Sequence, residues 1–150
     1  MTVTLREATD ADTETLHAFQ ADPKGSAMAA FASRDPEAFE AHQVKVLADP
    51  TNVFRVIEAD GVVVGSIGSW NAGDDRAVGY WLGRDHWGRG YATEALRAFL
   101  QVDRARPLTA YVAVQNVASR RVLEKAGFSV VERRLADGGI EEDVLRRTAP

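Results

Sequence analysis

The stretch HWGRGYATEAL, His86 to Leu96, decides the reading of this chain. Gly88 and Gly90 stand directly before a run in which Ala92, Ala95, Leu96, Phe99 and Val102 recur at helical spacing, the pattern of one buried face. A helix N-terminus leaves several backbone N–H groups without intrahelical partners, and the helix dipole adds positive potential there. Glycines let the main chain approach an anion without a Cβ in the way, and they accept positive φ. The segment therefore predicts a phosphate-cradling turn, with the Thr93 hydroxyl close by.

Several ligands use such turns. A P-loop needs G-x-x-x-x-G-K-[ST]. Gly83 to Gly88 has the first spacing, but Arg89-Gly90 replaces the lysine and the Mg²⁺-binding hydroxyl. A dinucleotide turn needs G-x-G-x-x-G in a βαβ unit, with an acid about 20 residues on. Here Thr93 holds the sixth position, and no acid ends the next strand at Val114. Coenzyme A pyrophosphate also takes such turns, and a purely structural turn needs no ligand; the turn alone leaves these readings open.

The flanking elements narrow the choice. Residues 3–8 alternate as a strand, and Thr9 or Asp10 caps a helix to about Gln20. Residues 21–33 are small and irregular, and read as a mobile loop with room for one helical turn. Asp35-Pro36 is a cap with proline at the first helical position, opening a helix to about Leu47. Strands follow at 52–59 and 62–70, joined by Asp60-Gly61, a strong hairpin signal, and then at 76–83 after a turn at 71–75. The glycine turn and its helix run to Asp103, a strand covers 108–114, and a short helix spans 116–125 with Gly127 as its stop. Residues 128–134 and 141–147 form a closing hairpin around Asp137-Gly138-Gly139. The order β-α-α-β-β-β-α-β-α-β-β predicts one α+β domain over residues 1–150, a mixed and mainly antiparallel sheet flanked by helices.

Composition sets limits. The 150 residues contain no cysteine, which removes thiol catalysis and cysteine-ligated metals. His17, His42 and His86 show no metal spacing, so no metal is expected. No apolar run of roughly 18 residues is present, so neither a membrane span nor a signal peptide is expected. A cytoplasmic protein, as monomer or homodimer, is the expectation. The net charge of −4 argues against nucleic acid as partner. The charge is unevenly placed: residues 1–60 carry 11 acidic and 5 basic side chains, whereas residues 84–125 carry 4 and 8. An anionic ligand at the basic segment and a cationic one at the acidic segment fit this split; on charge alone, solvated surface charge is the better explanation.

At GYWLGRDHWGRGYATEAL (79–96) and QNVASRRVLEKAGF (115–128) the chain resembles the GCN5-related N-acetyltransferase (GNAT) family, and within it the ribosomal-protein N-terminal acetyltransferase (RimJ/RimL-like) branch. The order of strands agrees over nearly the whole chain. The resemblance implies an acyl-CoA N-acyltransferase fold, acetyl-CoA as donor, and a primary amine as acceptor. The family signature Q/R-x-x-G-x-G/A falls on residues 85–90, with Asp85 departing at its first position. A carboxylate does not donate to phosphate, so the amides of Gly88 to Ala92 would carry the pyrophosphate.

The same resemblance distributes roles. Tyr80, Trp81 and Leu82 would flank the pantetheine arm, with a main-chain N–H near Leu82 facing the thioester oxygen. Trp87, Gly88, Arg89, Gly90, Tyr91, Ala92 and Thr93 would surround the cofactor. Asn116 would contact it, and Ser119 would lie near the sulfur. Many relatives place a proton-donating tyrosine in the last long helix, but SRRVLEKAGF has none. Asn116 is equally a good helix cap, and Ser119 a solvated hydroxyl. Arg120, Arg121 and Lys125 are candidates for the 3′-phosphate. For a general base the sequence offers Glu58, Asp35, Glu37 and His86 without singling one out. The acceptor side would be residues 10–50, with Met28 and Phe31 as pocket residues and Trp70 nearby; its acidity suits a peptide N-terminus or a small cationic amine. A non-catalytic acyl-CoA-binding sensor of the same fold is the alternative reading.

Overall fold

The computed structural model describes residues 2–30 and 33–150. The strands are β1 (Val3–Arg6), β2 (Val53–Ala59), β3 (Val62–Ala72), β4 (Asp75–Leu82), β5 (Leu108–Ala113), β6 (Ser129–Ala136) and β7 (Ile140–Arg147). They form one sheet in the order β1-β2-β3-β4-β5-β7-β6. The helices are α1 (Thr13–Ala21), α2 (Pro23–Ala29), α3 (Pro36–Ala48), α4 (Tyr91–Val102) and α5 (Val117–Lys125).

Local chemistry accounts for most boundaries. Asp60 and Gly61 both take positive φ, 50° and 82°, which is the two-residue turn that matches strand twist, and Ala59 pairs directly with Val62. Asp35 caps α3 by accepting the Ala38 N–H at 2.7 Å, with Pro36 at the first helical position. Gly127, at φ 90°, ends α5, and Phe128 N–H bonds back to Leu123 C=O.

Two expectations need correction. The loop expected over residues 21–33 holds a full helix, α2, and its signal is the one that opens α3. Asp22 accepts the Lys24 N–H, and Pro23 takes the first helical position. The run of small residues hid this cap. On α4, Val102 is 41% exposed, not part of the buried face; Leu100 is buried instead. The helix ends at Val102, where the chain turns at Asp103, so that side chain falls beyond the packing.

The sheet carries a core on each face. On one, α4 and α5 bury Leu96, Phe99 and Leu123 against Ile57, Ile67, Leu108 and Leu145. On the other, Leu16 of α1 and Phe39 of α3 cover Val56. Phe99 is fully buried, so Phe99→Ala would cost about 3–5 kcal/mol in lost transfer energy and cavity.

One irregularity positions the site. Every neighbouring strand pair is antiparallel except β4–β5, which is parallel and has a single register pair, Ala77↔Thr109. Beyond that pair the two strands part.

Candidate active site

Strand alternation sends successive β4 side chains to opposite faces. Trp81 turns toward α1 and donates its indole N–H to Phe19 C=O at 3.1 Å. Tyr80 and Leu82 turn toward α4 and α5 and pack against that core. The Tyr80 hydroxyl lies 2.9 Å from Ser119 Oγ on α5. Burial pushes the Tyr80 phenol above its ordinary pKa, and the hydrogen bond to Ser119 opposes this. The main chain alternates as well. Gly83 N–H bonds to Val64 C=O on β3, so the N–H of Leu82 faces away from β3, toward the gap.

The gap opens as a cleft of about 210 Å³. Tyr80, Trp81 and Leu82 line it from β4. Trp87, Gly88 and Ala92 line it from the turn and the start of α4; Asn116, Ala118, Ser119 and Val122 from α5; Gly25, Met28 and Ala29 from α2. Behind it, a cavity of about 160 Å³ lies between β4 and β5, bounded by Val78 to Trp81 and Ala110 to Ala113.

The turn has the conformation that its glycines suggest. Gly88 and Gly90 take φ of 74° and 81°, and a Cβ on Gly88 would meet nothing within 4 Å. Gly90 caps α4 without a side chain, so none satisfies the first amides of this helix from that position. The Trp87 indole N–H donates to Leu82 C=O at 3.2 Å and folds the turn against the end of β4.

Helix α2 is fastened over the cleft at both ends. Asp22, its cap, lies 2.9 Å from Arg84 Nε in the turn after β4. Gln115 Nε2 donates to Ala27 C=O at 2.6 Å and to Met28 C=O at 3.3 Å. Asn116 does cap α5, accepting the Ser119 N–H at 3.2 Å, which sets Ser119 in the first helical turn.

Of the residues singled out from the sequence, Tyr80, Trp81, Leu82, Trp87, Gly88, Ala92, Asn116, Ser119 and Met28 converge on this cleft. Arg89, Gly90, Tyr91 and Thr93 sit in the adjoining turn and first turn of α4. Trp70 does not line the cleft; its ring packs over Gly79, and it is 42% exposed. Phe31 lies outside the described residues. The proposed bases lie elsewhere too. Glu58 pairs with Arg6 at 2.6 Å beside the β1 edge, Asp35 caps α3, Glu37 is exposed in the first turn of α3, and His86 contacts Phe19 and Tyr91. Arg120 is directed at Glu124 and Asp143, at 3.7 and 3.8 Å, whereas Arg121 and Lys125 are exposed.

A family model, the acetyltransferase (GNAT) domain, matches residues 2–129. The chain belongs to the GNAT acetyltransferase family. Solved structures share this GNAT fold over almost the whole chain. An acetyltransferase of the GNAT family from Bacillus anthracis superposes with a TM-score of 0.83 at 17% identity, covering 99% of this chain and 95% of that one. AAC(6')-Ib in complex with paromomycin and acetyl-CoA gives 0.84 at 20% identity, over 99% and 94%. RimL, the ribosomal L7/L12 α-N-protein acetyltransferase, in complex with coenzyme A, gives 0.84 at 16%, over 99% and 94%. No curated protein matches the chain in sequence.

The sequence reading missed four GNAT-cleft residues: Gly25, Ala29, Ala118 and Val122. Their small or aliphatic side chains carry no chemical signature, and α2 itself was unrecognised. Gln115 stood inside a quoted motif without a role; the structure makes it the tie to α2. Among the described residues, no helix is long and apolar enough to cross a membrane, and no group of three or more His, Asp or Glu side chains is arranged to hold a metal ion.

Proposed function

We propose that this GNAT domain transfers an acetyl group from acetyl-CoA to a primary amine by direct attack in a ternary complex. The observation that carries the reading is the parting of β4 from β5 after one register pair, with the glycine turn at the mouth of the resulting cleft. The residues present fit coenzyme A. Gly88 leaves open space where a side chain would stand, and the amides at the start of α4 are free of a capping side chain. These amides, from Gly88 to Ala92, bind pyrophosphate. The main chain of Tyr80 and Leu82 faces the gap and pairs with the pantetheine arm.

Bound there, acetyl-CoA supplies a thioester whose carbonyl carbon is the electrophile. The Leu82 N–H stabilises the developing oxyanion. Ser119 protonates the leaving sulfur, and Asn116 holds Ser119 in the first turn of α5. Helix α2, with Met28, walls the acceptor side. Among the described residues lining the cleft, none is a carboxylate or an imidazole. A base is least needed for an α-amino group, which at pKa about 8 is roughly one-tenth neutral at pH 7. That favours a peptide N-terminus, as in the RimJ/RimL-like branch, over a lysine-like amine; small cationic amines come next, on the acidity of residues 1–60.

That no carboxylate or imidazole is among the described residues lining the cleft also favours a second reading, a non-catalytic acyl-CoA-binding module. Thiol release from acetyl-CoA with a panel of kanamycin, spermidine and a peptide with a free N-terminus separates the two. Release with at least one amine is expected of the enzyme. Saturable acetyl-CoA binding with no release from any of them would leave the binding module.

A further inference from the structure

Tyr80 and Ser119 carry the only hydroxyls among the described residues lining the cleft. They come from different elements, 39 positions apart, and their oxygens lie 2.9 Å from each other. Both also border the cavity between β4 and β5, so the pair stands where the strands part. A phenol is a far stronger acid than an aliphatic alcohol, and so the better donor of the two. Either hydroxyl can donate in this contact, and the greater acidity of the phenol is the ground for taking Tyr80 O–H as the donor and Ser119 Oγ as the acceptor. With Tyr80 as the donor, the single Ser119 proton is available to a group bound in the cleft. Burial pushes the Tyr80 phenol above its ordinary pKa, so it is protonated at neutral pH and has a proton to donate.

We propose that Tyr80 is a positioning residue for proton delivery: it orients the Ser119 hydroxyl toward the leaving sulfur and refills it with a proton. This rests on the acetyltransferase reading above. As the amine nitrogen bonds to the acyl carbon, the carbon–sulfur bond breaks and its electron pair goes to sulfur. Ser119 gives its proton to that sulfur, and Tyr80 gives its own to Ser119. The proton shed by the amine returns to the phenol through solvent, so nothing is consumed. A strand tyrosine thereby supplies the phenol that the last long helix lacks.

The test compares wild type, Tyr80→Phe, Ser119→Ala and the double variant. Tyr80→Phe keeps the ring and its packing. Ser119→Ala leaves the backbone N–H that bonds to Asn116, so α5 stays capped. Calorimetry at pH 9, where a thiolate is populated, measures affinity for coenzyme A against desulfo-coenzyme A, which lacks the sulfur. A hydroxyl aimed at the thiolate gives wild type a preference of about tenfold or more. Ser119→Ala abolishes this preference, Tyr80→Phe removes most of it, and the double variant matches Ser119→Ala. In turnover, kcat falls about tenfold or more in each single variant, with no further fall in the double, while affinity for desulfo-coenzyme A is unchanged throughout. Residues that act as one unit show such non-additivity. A Tyr80→Phe protein with wild-type preference and kcat overturns the relay, as do effects of the two substitutions that multiply. In both cases an active wild type leaves the acetyltransferase reading standing. If wild type binds neither compound, that reading falls and the relay with it.

Discussion

Asp22 performs two tasks at one corner of the cleft: it caps α2 through the Lys24 N–H, and its Oδ2 lies 2.9 Å from Arg84 Nε. The first task fixes where α2 begins, and the second sets that end of α2 beside the turn after β4. The two are separable. Arg84 is 44% exposed along its side chain, so the ion pair contributes little, whereas loss of a helix cap costs about 1 kcal/mol. Asp22→Ala should therefore lower thermal stability by a few degrees and, if α2 walls the acceptor side as proposed, raise KM for the amine. Arg84→Ala should change either by much less. Thermal melts and steady-state kinetics on the two variants check this order; equal effects would show that the ion pair, not the cap, holds α2.

Gln115 fastens the other end of α2 through Ala27 and Met28. Gln115→Ala should raise KM for the amine several-fold and leave the acetyl-CoA dissociation constant unchanged, since Gln115 is not among the residues lining the cleft. Calorimetry and amine saturation curves measured together test this. A matching loss of acetyl-CoA affinity would contradict it.

Much of the fold was legible because short signals were enough. Asp60-Gly61 specified a two-residue turn with both residues at positive φ, and Asp35-Pro36 specified the start of α3. The glycine turn was legible from the helix-period run behind it. What escaped was tertiary. Asp22-Pro23 repeats the Asp35-Pro36 signal, but the small residues that follow bury little, so no periodic face supported a helix. Val102 matched the helical period yet falls at the helix end. The contact between Tyr80 and Ser119 joins a strand to a helix across the gap, and no local pattern encodes it. The candidate bases were chosen for their chemistry, and the fold places none of them on the cleft.

That last point has a kinetic consequence. On the acetyltransferase reading proposed above, and with no carboxylate or imidazole among the described residues lining the cleft, the amine is expected to lose its proton to solvent before it binds. The logarithm of kcat/KM for a peptide acceptor should rise with unit slope and level off near the amine's own pKa of about 8, with no lower break near pH 6. A pH–rate profile for two acceptors of different pKa measures this. A plateau that stays at one pH for both acceptors would reveal a protein base instead.

At the far edge of the sheet, the Arg6 guanidinium grips Asp12 at 2.8 and 2.9 Å and holds its carboxyl at about 2, well below the usual range. A depressed carboxylate pKa means that the folded state binds its proton less readily than the unfolded chain. The stabilisation is thus present above pH 4 and is lost as the pH falls from about 4 toward 2. Asp12→Asn should remove on the order of 1–2 kcal/mol at pH 7 and flatten the acid side of the stability curve. Urea denaturation of both proteins between pH 7 and 3 tests this. A wild-type excess of stability that persists unchanged at pH 3 would contradict it.

The most direct measurement is calorimetric titration of the protein with acetyl-CoA, with NAD and ATP as controls, on wild type and on Gly88→Val. Wild type should bind acetyl-CoA saturably and neither control. Gly88→Val, which fills the open space at the turn and strains a φ of 74°, should lose at least tenfold in affinity while remaining folded. Absent acetyl-CoA binding, or equal affinity in the two proteins, would contradict a coenzyme A site at the glycine turn.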